Sequence, residues 1–231
     1  MRKYAAELIG TFILVLFGCG TIVIAFVGVV GNFGVSLAFG FALIAAAYSI
    51  GPVSGCHINP AVSLGYFVAD RLSGKDLLGY IISQCLGAVA ASAVLLLIVK
   101  GKKDGYDVSE IGLGETTWGR NSGGFGVESA LLFEFVASFL FVMVNLAATR
   151  KVASAAIAGL AIGLTLAAIN LFGINITGAS VNPARSLGPA IFVGGDALRQ
   201  LWLYFAAPAA GGLLAGALYQ TKLFGEDEAA S

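Results

Sequence analysis

The sequence predicts an all-α membrane protein: six transmembrane helices plus two re-entrant half-helices, in two halves that form an inverted repeat. Three observations lead there. Apolar residues make up 58% of the 231 positions and charged residues only 11%, where an ordinary soluble domain carries about 25% charge. Mean hydropathy is +0.91, so the chain lacks the polar surface to coat a water-facing globule. Six apolar stretches reach the roughly 20 residues that cross a bilayer as a helix. A segment centred on Asn-Pro-Ala occurs twice. The 13 Lys+Arg balance 13 Asp+Glu, which leaves no basic footprint for a nucleic-acid partner.

In chain order, the first span covers about 4–26. Met1-Arg2-Lys3 leads straight into it with no small-residue cleavage site, so it reads as a retained span and not a removed signal. The second span is 32–50. The stretch 60–70 is too short to span; at about ten residues it crosses half a bilayer. The third span is 77–99. Segment 100–127 holds eight charged residues and many glycines, and reads as a surface loop. Spans four to six follow at 128–148, 153–172 and 200–220, with a second short stretch at 183–194. Gly159/Gly163 and Gly212/Gly216 have the spacing that brings helices close. The acidic tail Glu226-Asp227-Glu228 reads as frayed. The three cysteines, Cys19, Cys56 and Cys85, have neither disulfide-framework nor zinc spacing.

The whole chain, 1–231, reads as one domain whose halves, about 1–99 and 128–222, are joined by loop 100–127. SGCHINPAVSLG at 54–65 aligns with TGASVNPARSLG at 177–188, an offset of 123 positions. The starts align as well, Ala6-Glu7 beside Phe133-Glu134. Three spans per half is an odd number, so the second half enters from the opposite side and the related sites meet near the midplane. Seven Lys/Arg fall on one side and five on the other. That bias puts both termini in the cytoplasm of a multi-pass cell-membrane protein.

Proline fits the first helical turn and asparagine is a preferred N-cap. Asn59-Pro60-Ala61 and Asn182-Pro183-Ala184 therefore each begin a helix. Two helix starts meeting inside a bilayer must face water or protein, and their positive dipole ends converge. Each Asn can cap its helix through oxygen and turn its NH2 to the lumen. A neutral, hydrogen-bonding permeant suits such a centre, while cations and hydronium meet a positive barrier. Gly55, Cys56, His57 and Ile58, with Gly178, Ala179 and Ser180, are expected to run extended and to present a ladder of carbonyl acceptors. Arg185, directly after the second motif, is a functional candidate because an intramembrane arginine is costly. His57 reads as a packed imidazole bonded to backbone. Cys56 reads either as a lumen residue or as a buried small hydrophobe.

On these residues the chain resembles the aquaporins, the major intrinsic protein family, over about 3–222, and within it the prokaryotic water-channel branch. The resemblance implies that Arg185 stands at the outer constriction with Phe39, Asn170 and Ala179. It also implies that Glu7 and Glu134 accept backbone N–H groups of the re-entrant segments, and that the chain forms a homotetramer in the lipid bilayer. The span-five position of a narrow water filter is usually His; Asn170 and the small Ala179 imply a wider, pH-insensitive constriction. Ser186 stands where glycerol-conducting relatives carry Asp, and Tyr204-Phe205 where they carry a proline-containing pair. The expected function is passive water conduction that excludes protons and ions, with small neutral solutes such as peroxide, ammonia or urea as a second class of permeant. A glycerol facilitator of the same fold and a secondary transporter are the alternatives. No enzyme, cofactor or metal site is expected.

Overall fold

Hydrocarbon offers a backbone N–H or C=O no partner, so a chain this apolar must satisfy those groups within helices. The computed structural model describes residues 1–25, 27–119, 122–151 and 153–222. Their regular structure is helical: α1 (Arg2–Ile24), α2 (Val27–Ser54), α3 (Pro60–Val68), α4 (Gly74–Lys100), α5 (Val108–Ile111), α6 (Val127–Ala148), α7 (Ala155–Thr177), α8 (Pro183–Val193), α9 (Gly195–Arg199) and α10 (Leu201–Gln220). Six of these, α1, α2, α4, α6, α7 and α10, are long and apolar enough to cross a membrane. The acidic tail and Arg120 lie outside the described residues.

Polarity is distributed inside out. Phe172 and Leu97 are 74% and 71% exposed, whereas Glu7, Gln84, Glu134 and Arg185 are at most 1% exposed. Water would penalise the first pair and the hydrocarbon the second, so the outer surface faces lipid and the interior carries the polar chemistry.

Packing follows a regular scheme. α1 lies against α2 and α4, and α6 against α7 and α10. α2 and α7 join the two sets. The half-helices cross over, α3 packing on α10 and α8 on α4. Both glycine pairs serve these contacts. A Cβ at Gly163 would sit 2.7 Å from the Gly40 carbonyl oxygen of α2, and one at Gly216 would collide with the Gly65 carbonyl of α3.

Two helices end well beyond their sequence limits. α2 continues through Gly51-Pro52 to Ser54, because proline in a last turn forfeits only one helical bond. α7 continues past Asn170 and Gly173 to Thr177, where Gly178, at φ 78°, ψ 6°, supplies the left-handed cap. The connecting loop also departs from expectation. Leu113 is fully buried and Thr116 nearly so, so 113–116 dips into the bundle and is not a plain surface loop.

Candidate functional pore

Each half-helix starts at its asparagine. Asn59 and Asn182 are extended (φ −158° and −148°), with Pro60 and Pro183 at the first helical positions. The Asn59 Oδ1 accepts Ala61 N–H at 2.8 Å; the Asn182 Oδ1 accepts Ala184 and Arg185 N–H at 3.0 and 3.2 Å. The amide nitrogens reach across to the other half. Asn59 Nδ2 donates to the Val181 carbonyl at 2.7 Å, and Asn182 Nδ2 to the Ile58 carbonyl at 2.9 Å. These reciprocal bonds bring the two starts together. They use one of the two protons on each NH2, leaving the second for the cavity that both asparagines line.

The segments before the motifs do not run extended. Cys56, Ile58, Ala179 and Val181 have φ of 54°, 44°, 48° and 46°. Left-handed backbone costs a non-glycine residue about 1–3 kcal/mol and persists only where neighbours over-determine it. Here buried carboxylates do so. Glu7 accepts His57 N–H at 2.9 Å and Ile58 N–H at 2.6 Å, together with Ser54 hydroxyl and Gln84 amide. Glu134 accepts Ser180 N–H at 2.8 Å, Val181 N–H at 2.7 Å and the Thr177 hydroxyl. Ser54 and Thr177 in turn accept Cys56 and Ala179 N–H. Sequence reasoning passed over this hydroxyl pair, although both residues open the aligned repeat segments. The N–H groups are thus drawn to the carboxylates; His57, Ala179 and Ser180 line the same cavity as the asparagines, and Ile58 and Val181 give their carbonyls to the asparagine amides.

The residues expected at a constriction meet around one narrow cavity of about 10 Å³, room for about one water. Phe39 stands over it because Gly18 of α1 has no side chain in the ring's place. The Arg185 guanidinium lies 5.0 Å from the Phe39 ring centroid and its Nη1 donates to the Gly114 carbonyl at 2.7 Å. Its Nε and Nη2 have no protein partner. Asn170 donates Nδ2 to the Leu166 carbonyl of its own helix at 3.0 Å, and its Oδ1 is unpartnered. Two donors and an acceptor, all buried, thus border the same space as Ala179. Phe39, Leu43, Phe141 and Leu166 close around it. Nothing in the sequence pointed to Gly114, which sits in a loop without periodicity.

Larger cavities lie to either side. One of about 870 Å³ is bordered by Gly178, Asn32, Glu115 and Asp196. Another, of about 470 Å³, is bordered by Gly55, Cys56, Tyr48, Arg150 and Lys151 and shares Leu43 with the centre. Gly55, Cys56 and Gly178 therefore border the wide chambers and not the narrow part. His57 does border the centre, but its Nδ1 pairs with the Ser63 hydroxyl at 3.2 Å, not with backbone, and its ring packs 4.2 Å from that of Tyr66.

Comparison with known proteins agrees with this architecture. The family model described as major intrinsic protein matches residues 1–219. The chain is 47% identical to an aquaporin Z of Rhodopseudomonas palustris over 224 residues, covering 95% of this chain and 92% of that one. It is 43% identical to an aquaporin Z of Photorhabdus laumondii over 233 residues, covering 99% and 100%. In fold it is similar to the X-ray structure of the aquaglyceroporin from Plasmodium falciparum, with TM-score 0.83, 22% identity and 96% of both chains covered.

Proposed function

The chain belongs to the major intrinsic protein family, and from that membership we propose that it is a passive water channel that excludes protons and other ions. The observation that carries this reading is the centre of the pore. Two helix N-termini converge on a cavity with room for about one water, each end equivalent to roughly half a positive charge. Asn59 and Asn182 each retain one N–H to offer a water oxygen. Arg185 Nε and Nη2 donate at the constriction, and Asn170 Oδ1 and the carbonyls of His57, Ala179 and Ser180 accept. A water that loses its bulk neighbours finds replacements, whereas a cation meets positive charge with little space for its hydration shell. No step requires a titrating group, which is why transport is passive and uncoupled.

Glu7 and Glu134 hold the re-entrant segments in shape. We place the protein as a homotetramer in the cell membrane, with the Arg71, Arg150 and Lys151 end in the cytoplasm, on family membership and on the positive-inside bias.

Proteoliposomes shrunk by sucrose, urea and glycerol in parallel test the reading. Rapid shrinkage under all three, followed by no faster re-swelling than protein-free vesicles under urea or glycerol, is expected. Re-swelling at a channel-like rate under glycerol would show a wider conduit, and shrinkage no faster than in protein-free vesicles would remove the water-channel assignment.

A further inference from the structure

Behind the narrow cavity three buried hydroxyls stand in a row. Thr116 Oγ1 lies 2.7 Å from Ser186 Oγ, and Ser186 Oγ lies 2.6 Å from Ser180 Oγ. Ser180 Oγ donates to the Asn182 carbonyl at 2.9 Å. Either oxygen can donate at the Thr116–Ser186 and Ser186–Ser180 pairs, and Thr116 is also hydrogen-bonded to Tyr204 of α10. Ser180 Oγ also accepts Asn182 N–H at 3.2 Å. The row therefore ends on the backbone of the capping asparagine, and it passes through a residue that borders the narrow cavity.

The first half contains a counterpart. His57 and Ser63 precede Ser180 and Ser186 by the repeat offset of 123, and they too are paired through their side chains. There the outside partner is Gln84 of α4, whose Nε2 donates to Ser63 Oγ at 3.0 Å. At the same offset from Gln84 the second half has Ala207, which carries no polar group. Thr116 of the connecting loop takes the role that α10 leaves unfilled. Two residues earlier, the Gly114 carbonyl holds Arg185 and accepts the Cys19 thiol at 3.5 Å.

We propose that Thr116 is a positioning residue for permeation: its hydroxyl sets the Ser186–Ser180–Asn182 row and thereby the width and carbonyl alignment of the narrow cavity. The proposal rests on the water-channel reading. Without the Thr116 hydroxyl, Ser186 Oγ loses the partner that fixes its orientation, and Ser180 relaxes at a point with room for about one water. A shift of a few tenths of an ångström there closes or roughens the file, while the rest of the bundle is untouched.

The test compares the unsubstituted chain with Thr116→Val, Thr116→Ala and Thr116→Ser in proteoliposomes, with permeability expressed per reconstituted channel. Thr116→Ala removes the same hydroxyl and serves if the Val variant inserts poorly. The expected result is a fall in unit water permeability between about two- and tenfold for Val and Ala, a raised activation energy of permeation, and restoration of both by Ser. Ser186→Ala should impose a similar loss, and adding Thr116→Ala to it should cost nothing further. Equal losses in Val, Ala and Ser, or hydroxyl-free variants with unchanged permeability and activation energy, would overturn the proposal. Failure of the unsubstituted chain to conduct would instead overturn the reading beneath it.

Discussion

Cys56 shows how much one backbone angle decides. At φ 54° it sits in a left-handed turn that costs a non-glycine residue about 1–3 kcal/mol, and that turn brings it to the border of the 470 Å³ chamber. From its place three residues before Asn59, a lumen residue and a buried hydrophobe were equally compatible; it is both, nearly covered yet at the chamber wall. Cys19 is fully buried against the connecting loop, and Cys85 is part-buried on α4. A mercurial reaching the chamber therefore meets Cys56 first. Mercuric ion is expected to block water flow through the unsubstituted protein, Cys56→Ser to remove most of the block, and Cys85→Ser to leave it in place. Stopped-flow shrinkage with and without reductant measures this, and full sensitivity in Cys56→Ser would place the reactive thiol elsewhere.

Among elements, the re-entrant segments depend on α1 and α6 for their shape. Glu7 receives four hydrogen bonds and Glu134 three, so each carboxylate has the acceptor capacity that an amide lacks. Glu7→Gln keeps the volume but turns an NH2 toward a donor. One buried N–H left unpaired costs about 1–3 kcal/mol, and Glu134→Gln should behave alike. Thermal unfolding in detergent should show a lowered midpoint for each variant, and wild-type midpoints in both would mean the carboxylates do not brace the loops. Much at this scale was legible beforehand, since apolar length marks a span and Asn-Pro marks a helix start regardless of tertiary context. The ends of α2 and α7 were not legible, because Gly51-Pro52 and the Gly173–Thr177 stretch carry glycine, proline or polar residues that interrupt a purely apolar run. The left-handed turns were hidden too; nothing in Cys56 or Val181 favours positive φ, which is held by the distant carboxylates together with Ser54, Thr177 and the asparagines. Gly114 and Thr116 were invisible for the same reason, their roles arising from contact with Arg185 and Ser186 about 70 positions away.

At the scale of the whole molecule, the two halves contribute equally to one electrostatic object. Each half-helix N-terminus is equivalent to about +0.5 elementary charge, so the pair at the Asn59–Asn182 junction amounts to about +1. A proton entering the file meets that charge in a medium where screening by bulk water is absent, and the barrier belongs to neither half alone. A single carboxylate at the junction should cancel it. Asn59→Asp is suited to the purpose, because aspartate caps a helix about as well as asparagine and can still accept Ala61 N–H. It loses the bond to the Val181 carbonyl, a local cost, while the charge it adds acts on the entire file. Vesicles carrying Asn59→Asp and a trapped pH dye are expected to dissipate an imposed proton gradient faster than wild-type vesicles, most clearly at alkaline pH, where the carboxylate is ionised. Arg185 remains as a second positive group, so the leak should grow further in Asn59→Asp combined with Arg185→Val. If Asn59→Asp conducts water and still holds the gradient as the parent does, exclusion resides at Arg185 alone and the paired helix ends are not its source.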